Sequence, residues 1–299
     1  MKRIYTLLYI CTLLLAAACS SDDNILQQGR KSICFDVIHP SAVTRAGATA
    51  FDVGDRIGVF VTADTALLQI SGNKVNNEAV TYDGTQWKTR RQFYWDDGKF
   101  NIYAYYPRIQ TISLIDDCPV SVAVDQSLDR TTYKSSNIDT PLSAYEASDI
   151  LYAKVEGFTA TDAAVPLRFA HTMSRLVVRL IKGEDFEGEL PTKVDVYIHN
   201  TVTEATINLN NGIVTNNIKA NRQSIKARQE SDYTYAAIIV PQRIPNRVPL
   251  LEVEINGVSY LCESNFTFKP GMQHIINFIL DKNPNQSLIN IGGEVEQWQ

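Results

Sequence analysis

Short apolar runs alternate with turn-forming residues along almost the whole chain, and this pattern constrains the fold more than any other feature. From residue 32 onward the runs are rich in Val, Ile, Tyr, Phe and Thr, and clusters of Gly, Asn, Asp and Pro separate them. Such spacing is typical of antiparallel sheets, because short strands need frequent turns. Sustained helical periodicity is absent, although residues 143–147 could form one helical turn. The sequence therefore predicts an all-β protein.

Two β-sandwiches are expected, because the region with this strand pattern is longer than one sandwich needs. The small, polar segment Thr159–Ala164 is a plausible linker, so we place a first sandwich at residues 32–163 and a second at 164–299. Asn211-Gly212 and Asn256-Gly257 stand between apolar runs and predict hairpins, since both residue types tolerate positive φ. Further strands are predicted at residues 32–38, 56–61, 100–106, 150–155, 176–181, 193–199, 204–209, 234–240, 250–255, 258–262 and 275–280.

The N-terminus has the pattern of an export signal. Two basic residues precede an apolar run from Leu7 to Leu15, and three alanines then precede Cys19. This order predicts a secretory signal peptide over residues 1–18, because the apolar run is too short to span a bilayer. The segment resembles a bacterial lipoprotein signal, which implies that Cys19 becomes the mature N-terminus and carries a lipid such as palmitate. An ordinary signal peptide with a chance cysteine is the alternative.

Residues 19–31 form a polar tether in this interpretation. Ser20-Ser21-Asp22-Asp23 resembles the acidic tag that directs Bacteroidetes lipoproteins to the outer face of the outer membrane. We therefore expect a cell-surface protein that is held in the outer membrane by its lipid anchor. A polar spacer without a targeting role is the alternative.

Charge and side-chain motifs argue against several classes of function. The formal net charge is −5 and no basic stripe occurs, which argues against nucleic acid as a partner. No G-x-S-x-G, H-E-x-x-H, phosphate-binding loop or dinucleotide fingerprint occurs, so we predict no enzyme activity, metal or cofactor. His171 is interpreted as a hydrogen-bonded core residue. Burial is favoured for Cys34, Cys118 and Cys262, and one disulfide with a free thiol stays open.

Six sequence blocks follow one another in a fixed order. They are FDVGDRIGVF at 51–60, FYW at 93–95 with FNIYAYYP at 100–107, DILYA at 149–153, LRFAHTMSRL at 167–176, IVPQ at 239–242 and FKPGM at 268–272. Together they resemble the Bacteroidetes fimbrillin family, the type V pilins and their accessory subunits. The resemblance covers roughly residues 32–299. It implies two transthyretin-like, Greek-key β-sandwiches in tandem and a structural or adhesive role in cell-surface fimbriae.

The loop after the first predicted strand is a candidate processing site. Residues 43–50 are small and polar, as in a good protease target. The family resemblance implies that a trypsin-like maturation protease cuts such a loop at an arginine. That arginine would be Arg45, and Ala46 would be the new terminus. The cut would release strand 32–38 and open an apolar groove for a strand from another subunit. An uncut tip or anchor subunit is one alternative. A cut at Arg30 or Lys31, which lie before the strand and would remove little of the fold, is another.

The C-terminal segment 287–299 is the candidate donor strand. Family stalk subunits use their C-terminal segment in this way, and the resemblance implies other fimbrial subunits as partners. The alternation of apolar residues here is imperfect, since Gly292-Gly293 interrupts it. These glycines could form a hinge or a turn into a last strand. A tail that packs on its own domain is the alternative.

Two other classes of function stay open from the sequence. A surface glycan-binding lipoprotein would also combine β-sandwiches with exposed aromatic residues, and Trp87, Trp95 and the tyrosines could stack on sugars. A secreted hydrolase is disfavoured because no catalytic constellation is visible. The sequence does not decide between a stalk, tip or anchor position, and it does not identify a host receptor.

Overall fold

The computed structural model describes residues 30–40, 51–283, 288–290 and 295–298, and these residues are almost entirely β-structure. The prediction of an all-β protein is therefore confirmed. The part before residue 172 contains β1 (Phe35–Ile38), β2 (Arg56–Ala63), β3 (Val75–Tyr82), β4 (Trp87–Thr89), β5 (Lys99–Tyr106), β6 (Cys118–Ser121), α1 (Ala144–Ser148), β7 (Leu151–Thr159), β8 (Val165–Arg168) and β9 (Ala170–His171).

The later part of the chain contains the remaining strands. They are β10 (Ser174–Lys182), β11 (Asp195–Val202), β12 (Glu204–Ile207), β13 (Val214–Asn216), β14 (Arg222–Lys226), β15 (Arg228–Ser231), β16 (Thr234–Ile239), β17 (Gln242–Ile244), β18 (Pro249–Ile255), β19 (Val258–Glu263), β20 (Phe266–Phe268), β21 (Met272–Leu280), β22 (Leu288–Asn290) and β23 (Val295–Gln297). No helix among the described residues is both long and apolar enough to cross a membrane.

A six-stranded sheet of order β4-β3-β2-β5-β7-β9 forms the frame of the first part. The parallel pair β1–β8 packs against it, with Phe35 opposite Val165. Buried residues from both sheets form one core, including Ile57, Ile102 and Leu167. The inward side chains alternate along β2 and β5 because successive residues of a strand point to opposite faces.

Two further sheets enclose the core of the second part. One has the order β15-β16-β10-β21-β22, and the other has the order β14-β11-β18-β19. Apolar residues from both sheets, such as Val177, Ile276, Ile198 and Val253, lie in the same core. The central strand β10 pairs antiparallel with β16 and parallel with β21, so β21 returns beside β10 by a long crossover. The tandem transthyretin-like, Greek-key topology stays a prediction.

The two cores do not divide the chain at a single point. Strand β8 follows the segment predicted as the linker, yet Val165, Leu167 and Phe169 pack in the first core. Conversely, β6 precedes that segment but pairs with β12 of the second part. Residues well before His171, such as Ile109 and Ile150, also pack in the second core. The domain boundary between residues 163 and 164 stays a prediction.

Local sequence signals explain several of these elements. The hairpin β18–β19 closes through Asn256 and Gly257, both with positive φ, as the sequence predicts. The hairpin β12–β13 also forms, but its turn spans residues 208–213, and of the Asn211-Gly212 pair only Gly212 has positive φ. The predicted helical turn is α1, and a capping box between Ser143 and Glu146 starts it.

Candidate functional site

The first strand is inserted between two parts of the chain that it joins by backbone hydrogen bonds. Residues 31–33, just before β1, bond to the segment 93–95 that precedes β5, and β1 itself pairs with β8 in a parallel register. The backbone hydrogen bonds that flank this region are Ile33 N to Phe93 O (2.8 Å), Trp95 N to Lys31 O (2.9 Å), Val165 N to Cys34 O (2.8 Å) and Phe169 N to Ile38 O (3.0 Å). A strand in this position completes the surrounding sheet structure without belonging to a hairpin.

The apolar face of this strand fills part of the first core. Ile33 and Phe35 are buried, Val37 packs against the same core, and Cys34 and Asp36 point outward. Burying two such side chains stabilises the fold by roughly 3–6 kcal/mol. Removal of the strand would therefore expose an apolar groove with unpaired backbone groups on both sides.

Both ends of the predicted processing loop meet at one aromatic cluster. The ring of His39, just after β1, lies 4.8 Å from the ring of Phe51, where the described chain resumes. Phe51 also contacts Trp87, Tyr106 and Phe169 edge to face. The predicted cleavage residues Arg45 and Ala46 lie outside the described residues, as does the predicted lipidation residue Cys19.

The C-terminal tail lies along the open edge of β21 in the second part. Strands β22 and β23 both pair antiparallel with β21. Beyond β23, the backbone N–H of Trp298 donates to the carbonyl of Gly271 at 3.0 Å. Gly292-Gly293 lies outside the described residues. The tail thus packs on its own chain, which is the alternative that the sequence left open against a free donor strand.

One histidine connects the tail to the end of the first strand. The rings of Trp298 and His171 are stacked, with centroids 3.5 Å apart and planes 7° from parallel. A 2.9 Å hydrogen bond joins His171 Nδ1 to Asp149 Oδ1, and Nε2 is buried without a partner among the described residues. His39 lies 6.1 Å away on another side of the ring. His171 is therefore a core residue, as interpreted from the sequence, but its link to the tail had no sequence signal.

Burial changes the protonation of this cluster. Removal from water lowers the pKa of His39 to about 4, although the carboxylate of Asp149 opposes the shift and His171 adds to it. Neutral His39 is thus the form that the folded protein favours at neutral pH. Its aromatic contact with Phe51 holds the two ends of the loop together in that state.

The aromatic residues proposed for sugar stacking are mostly inside the protein. Trp95 is 4% exposed and packs on Phe100 and Phe158. Trp87 is half-buried between Phe51 and Tyr82. The tyrosines of β5, Tyr103, Tyr105 and Tyr106, are also buried. Trp95 and the tyrosines of β5 therefore cannot form a glycan platform at the surface.

A serine, a histidine and a glutamate meet on the outer face of the second sheet. Ser224 Oγ lies 2.6 Å from His199 Nδ1, and Glu252 Oε2 lies 2.8 Å from His199 Nε2. The sequence spacing gave no sign of this arrangement, because the three residues come from β14, β11 and β18. Ser224 is exposed on an edge strand, and the described cleft is lined by other residues. The row is a cross-strand hydrogen-bond network of a kind that stabilises sheets.

The cysteines and acidic groups suggest neither redox nor metal chemistry. Cys34 and Cys118 are free thiols, and Cys34 is exposed where the sequence favoured burial. Burial raises the pKa of the Cys118 thiol to about 11, so this thiol stays protonated. Within the described residues, no group of three His, Cys, Asp or Glu side chains is placed to hold a metal ion.

Comparison with known proteins decides the family. A model described as fimbrillin-like matches residues 44–298. The chain belongs to this family. The fimbrillin-like family consists of structural fimbrial and adhesion proteins, so the prediction that the chain is not an enzyme is confirmed. Its membership also supports a location in fimbriae or elsewhere at the cell surface.

Individual fimbrillin-like relatives agree with this assignment. A candidate fimbrium tip subunit, Fim1C of Bacteroides ovatus, is 28% identical over 143 residues, which are 44% of this chain and 24% of that protein. The chain thus spans about a quarter of the length of this curated relative.

Solved structures share the fold at low sequence identity. A candidate cell adhesion protein of Bacteroides uniformis has a TM-score of 0.67 at 19% identity, with 91% of this chain and 99% of that chain covered. A second one, from Bacteroides ovatus, has a TM-score of 0.62 at 19% identity, with 90% and 98% covered. These likenesses show the fold of the fimbrillin-like chain rather than its partners.

Proposed function

We propose that this fimbrillin-like chain is a fimbrial subunit that is exported as a lipoprotein through Cys19 and matured by cleavage after Arg45. Cleavage removes β1 and leaves a groove that a strand of another subunit fills. The single observation that carries the proposal is the position of β1, an apolar strand that pairs with β8 while the residues just before it bond to the segment 93–95. The predicted processing segment 43–50 follows β1 in the sequence.

The geometry around β1 supports replacement of β1 by another strand rather than loss of β1 without a replacement. The vacated groove would keep the carbonyl of Phe93 and the amide of Val165 as unpaired backbone groups in an apolar setting. Leaving buried polar groups unpaired costs about 1–3 kcal/mol for each. A replacement strand with apolar residues in alternate positions restores both the pairing and the core, which couples cleavage to assembly.

The tail supports two positions in a fimbrium. In a stalk subunit it would leave β21 and enter the groove of the neighbour. In this structure the tail pairs with β21 and Trp298 stacks on His171. This position favours a tip or anchor subunit, which would keep its tail on its own chain. The name of the curated relative, a candidate tip subunit, agrees with the second position.

Limited proteolysis tests the processing step. Brief trypsin treatment of the mature-length protein is expected to yield a new N-terminus at Ala46 and to remove β1, detected by intact mass and N-terminal sequencing. Arg45→Ala should block this product, whereas Arg30→Ala, before the strand, should leave it unchanged. An intact β1 after digestion of the wild-type chain would overturn cleavage-driven exchange.

Size-exclusion chromatography of the cut protein distinguishes a stalk subunit from a tip or anchor subunit. A shift to polymers that Arg45→Ala abolishes is expected for a stalk subunit. A cut chain that stays monomeric but binds a synthetic peptide of residues 31–39 would indicate an acceptor at the end of a fimbrium. A peptide of the same composition in scrambled order serves as the control.

A further inference from the structure

A cleft lies between the loop of residues 133–138 and the strands β6 and β12, where the two cores meet. Its volume is about 500 Å³. Clefts of roughly 300–1,000 Å³ are the usual size of small-molecule sites. The apolar part of the wall includes Ile109 and Ile150, which belong to the second core, and Ile138, which packs on the first. From this cleft we infer that the protein binds a neutral carbohydrate there.

The lining combines apolar surface with hydroxyl groups that have no partner. Tyr133 contributes an aromatic ring, and Ser121, Ser136 and Thr206 contribute hydroxyls. None of these four side chains makes a hydrogen bond within the part of the chain that the structure describes. Each hydroxyl can both donate and accept, which matches the hydroxyls of a sugar. The ring and the isoleucines match the apolar C–H face of a pyranose.

The charge of the lining selects against anionic ligands. Glu204 is the one ionisable acid in it, and no Lys, Arg or His side chain lines the described cleft. The amide of Asn217 donates to Glu204 Oε2 at 3.1 Å and so orients the carboxylate beside Thr206. A sialylated, uronic or sulfated sugar would face this carboxylate without a counter-charge. A neutral sugar can instead donate a hydroxyl hydrogen to it, a charge-assisted bond.

The backbone of β6 argues against an extended peptide as the occupant. Val122 N donates to Thr203 O, just before β12. The backbone N–H and C=O positions of the alternate residues Pro119 and Ser121 therefore point away from β12, toward the open edge. Proline has no N–H, and one of the two donors that an added strand would need is missing. The edge is therefore protected from strand addition while its side chains line the cleft.

An ion pair and backbone contacts hold the loop of residues 133–138 in place. The guanidinium of Arg108 pairs with Asp139 just after the loop. Gln110 N donates to Asn137 O at 2.8 Å, and Ile109 forms a backbone bridge with Ile138. A cleft that is already formed loses little conformational entropy when it binds a ligand. The inference does not depend on cleavage at Arg45, because no lining residue belongs to β1 or the tail.

Titration calorimetry with the full mature chain tests the site. The probes are neutral oligosaccharides of glucose, galactose, mannose and N-acetylhexosamines, with sialylated and sulfated oligosaccharides as the anionic set. We expect saturable binding of at least one neutral oligosaccharide and at least tenfold weaker binding by Tyr133→Ala and by Thr206→Val. Thr215→Val is the matched control, since Thr215 is the cross-strand partner of Thr206 but does not line the cleft.

Each other outcome would overturn the inference. These outcomes are no binding of any neutral probe, binding of the anionic set alone, or binding that Thr206→Val leaves unchanged. Ser136 is exposed and lines the cleft, so Ser136→Trp is expected to block the cleft and abolish binding even if Tyr133→Ala fails to fold. Displacement of the sugar by an extended apolar peptide at equal concentration would also count against it.

Discussion

At the scale of residues, a glycine in β2 makes room for a tyrosine ring from the neighbouring strand of the first sheet. Gly58 of β2 lies opposite Tyr105 of β5, and a Cβ atom at position 58 would lie 2.4 Å from the tyrosine ring. Tyr105 is buried, and its hydroxyl donates to Asn77 Oδ1 at 2.6 Å. The glycine thus lets a large aromatic ring cross the neighbouring strand and reach a hydrogen-bond acceptor.

Gly58→Ala is expected to destabilise the protein by about 2–3 kcal/mol, because overpacking in a core costs this much or more. Chemical denaturation measures the change in the free energy of unfolding. Gly157→Ala provides the comparison, since Gly157 has positive φ but open space around it and should cost only about 1–2 kcal/mol. Equal effects at the two positions would show that the tyrosine contact is not limiting.

His39 should make the attachment of the first strand sensitive to acid. Its pKa is about 4 in the folded protein against an ordinary value of 6.5. The unfolded chain therefore binds the proton more readily, and the stability that neutral His39 contributes is complete above about pH 6.5 and is lost as the pH falls toward 4. The loss amounts to about 3 kcal/mol.

His39→Gln should remove this part of the pH dependence. Between pH 7 and pH 4, the wild-type protein is expected to lose about 3 kcal/mol more of its unfolding free energy than the variant does. Urea denaturation at both pH values measures the difference. If the two proteins lose the same amount, His39 does not titrate as its burial implies.

At the scale of elements, the tail strands β22 and β23 protect an edge. They cover β21, which would otherwise present unpaired backbone groups to other chains. Each strand is three residues long, so the stack of Trp298 on His171 supplies a contact that the backbone pairing alone cannot. The tail is therefore held by backbone pairing and by a side-chain contact at its end.

Trp298→Ala is expected to release the tail and to speed amide hydrogen exchange along residues 272–280 by at least tenfold, a change of about 1.4 kcal/mol in the local opening free energy. Trp298→Phe keeps an aromatic ring against His171 and should retain most of the protection. Hydrogen exchange with mass spectrometry distinguishes them. Unchanged exchange in the alanine variant would mean that β23 holds without its tryptophan.

At the scale of the whole molecule, Tyr152 joins the two cores. It lies on β7 of the first sheet, and its hydroxyl donates to the carbonyl of Leu209 at 2.9 Å. Its ring lies against Gly212, where a Cβ atom would approach the ring to 2.3 Å. Through this contact the turn of the β12–β13 hairpin packs against the first sheet.

We expect wild-type thermal unfolding to be one transition and Tyr152→Ala to split it into two, because losing a buried aromatic ring costs about 3–5 kcal/mol at the junction. Differential scanning calorimetry shows the number of transitions. Tyr152→Phe loses only the hydrogen bond, about 1 kcal/mol, and should keep a single transition at a lower temperature. A single transition in the alanine variant would mean that other contacts suffice to couple the cores.

The sequence predicts the local features of this molecule better than the long-range ones. The alternation in Ile33, Phe35 and Val37 correctly indicates their buried face, and Asn256-Gly257 correctly predicts a tight hairpin. Pairing of β1 with β8 joins residues far apart in the chain, and no local pattern encodes it. The same holds for the stack of Trp298 on His171 and for the cleft, whose walls come from six separate segments.

The parallel pairing of β1 with β8 has a consequence for any assembly that replaces β1. A substitute strand that reproduces the hydrogen bonds of β1 must run in the same direction as β1, because parallel and antiparallel partners have different hydrogen-bond patterns. Each subunit in a row would then face the same way, with contacts between unlike surfaces, which build an open filament when the rotation between subunits does not close a ring. A filament built on this rule has polarity. One terminus exposes a vacant acceptor and the other an unused donor, so growth and termination are chemically distinct events.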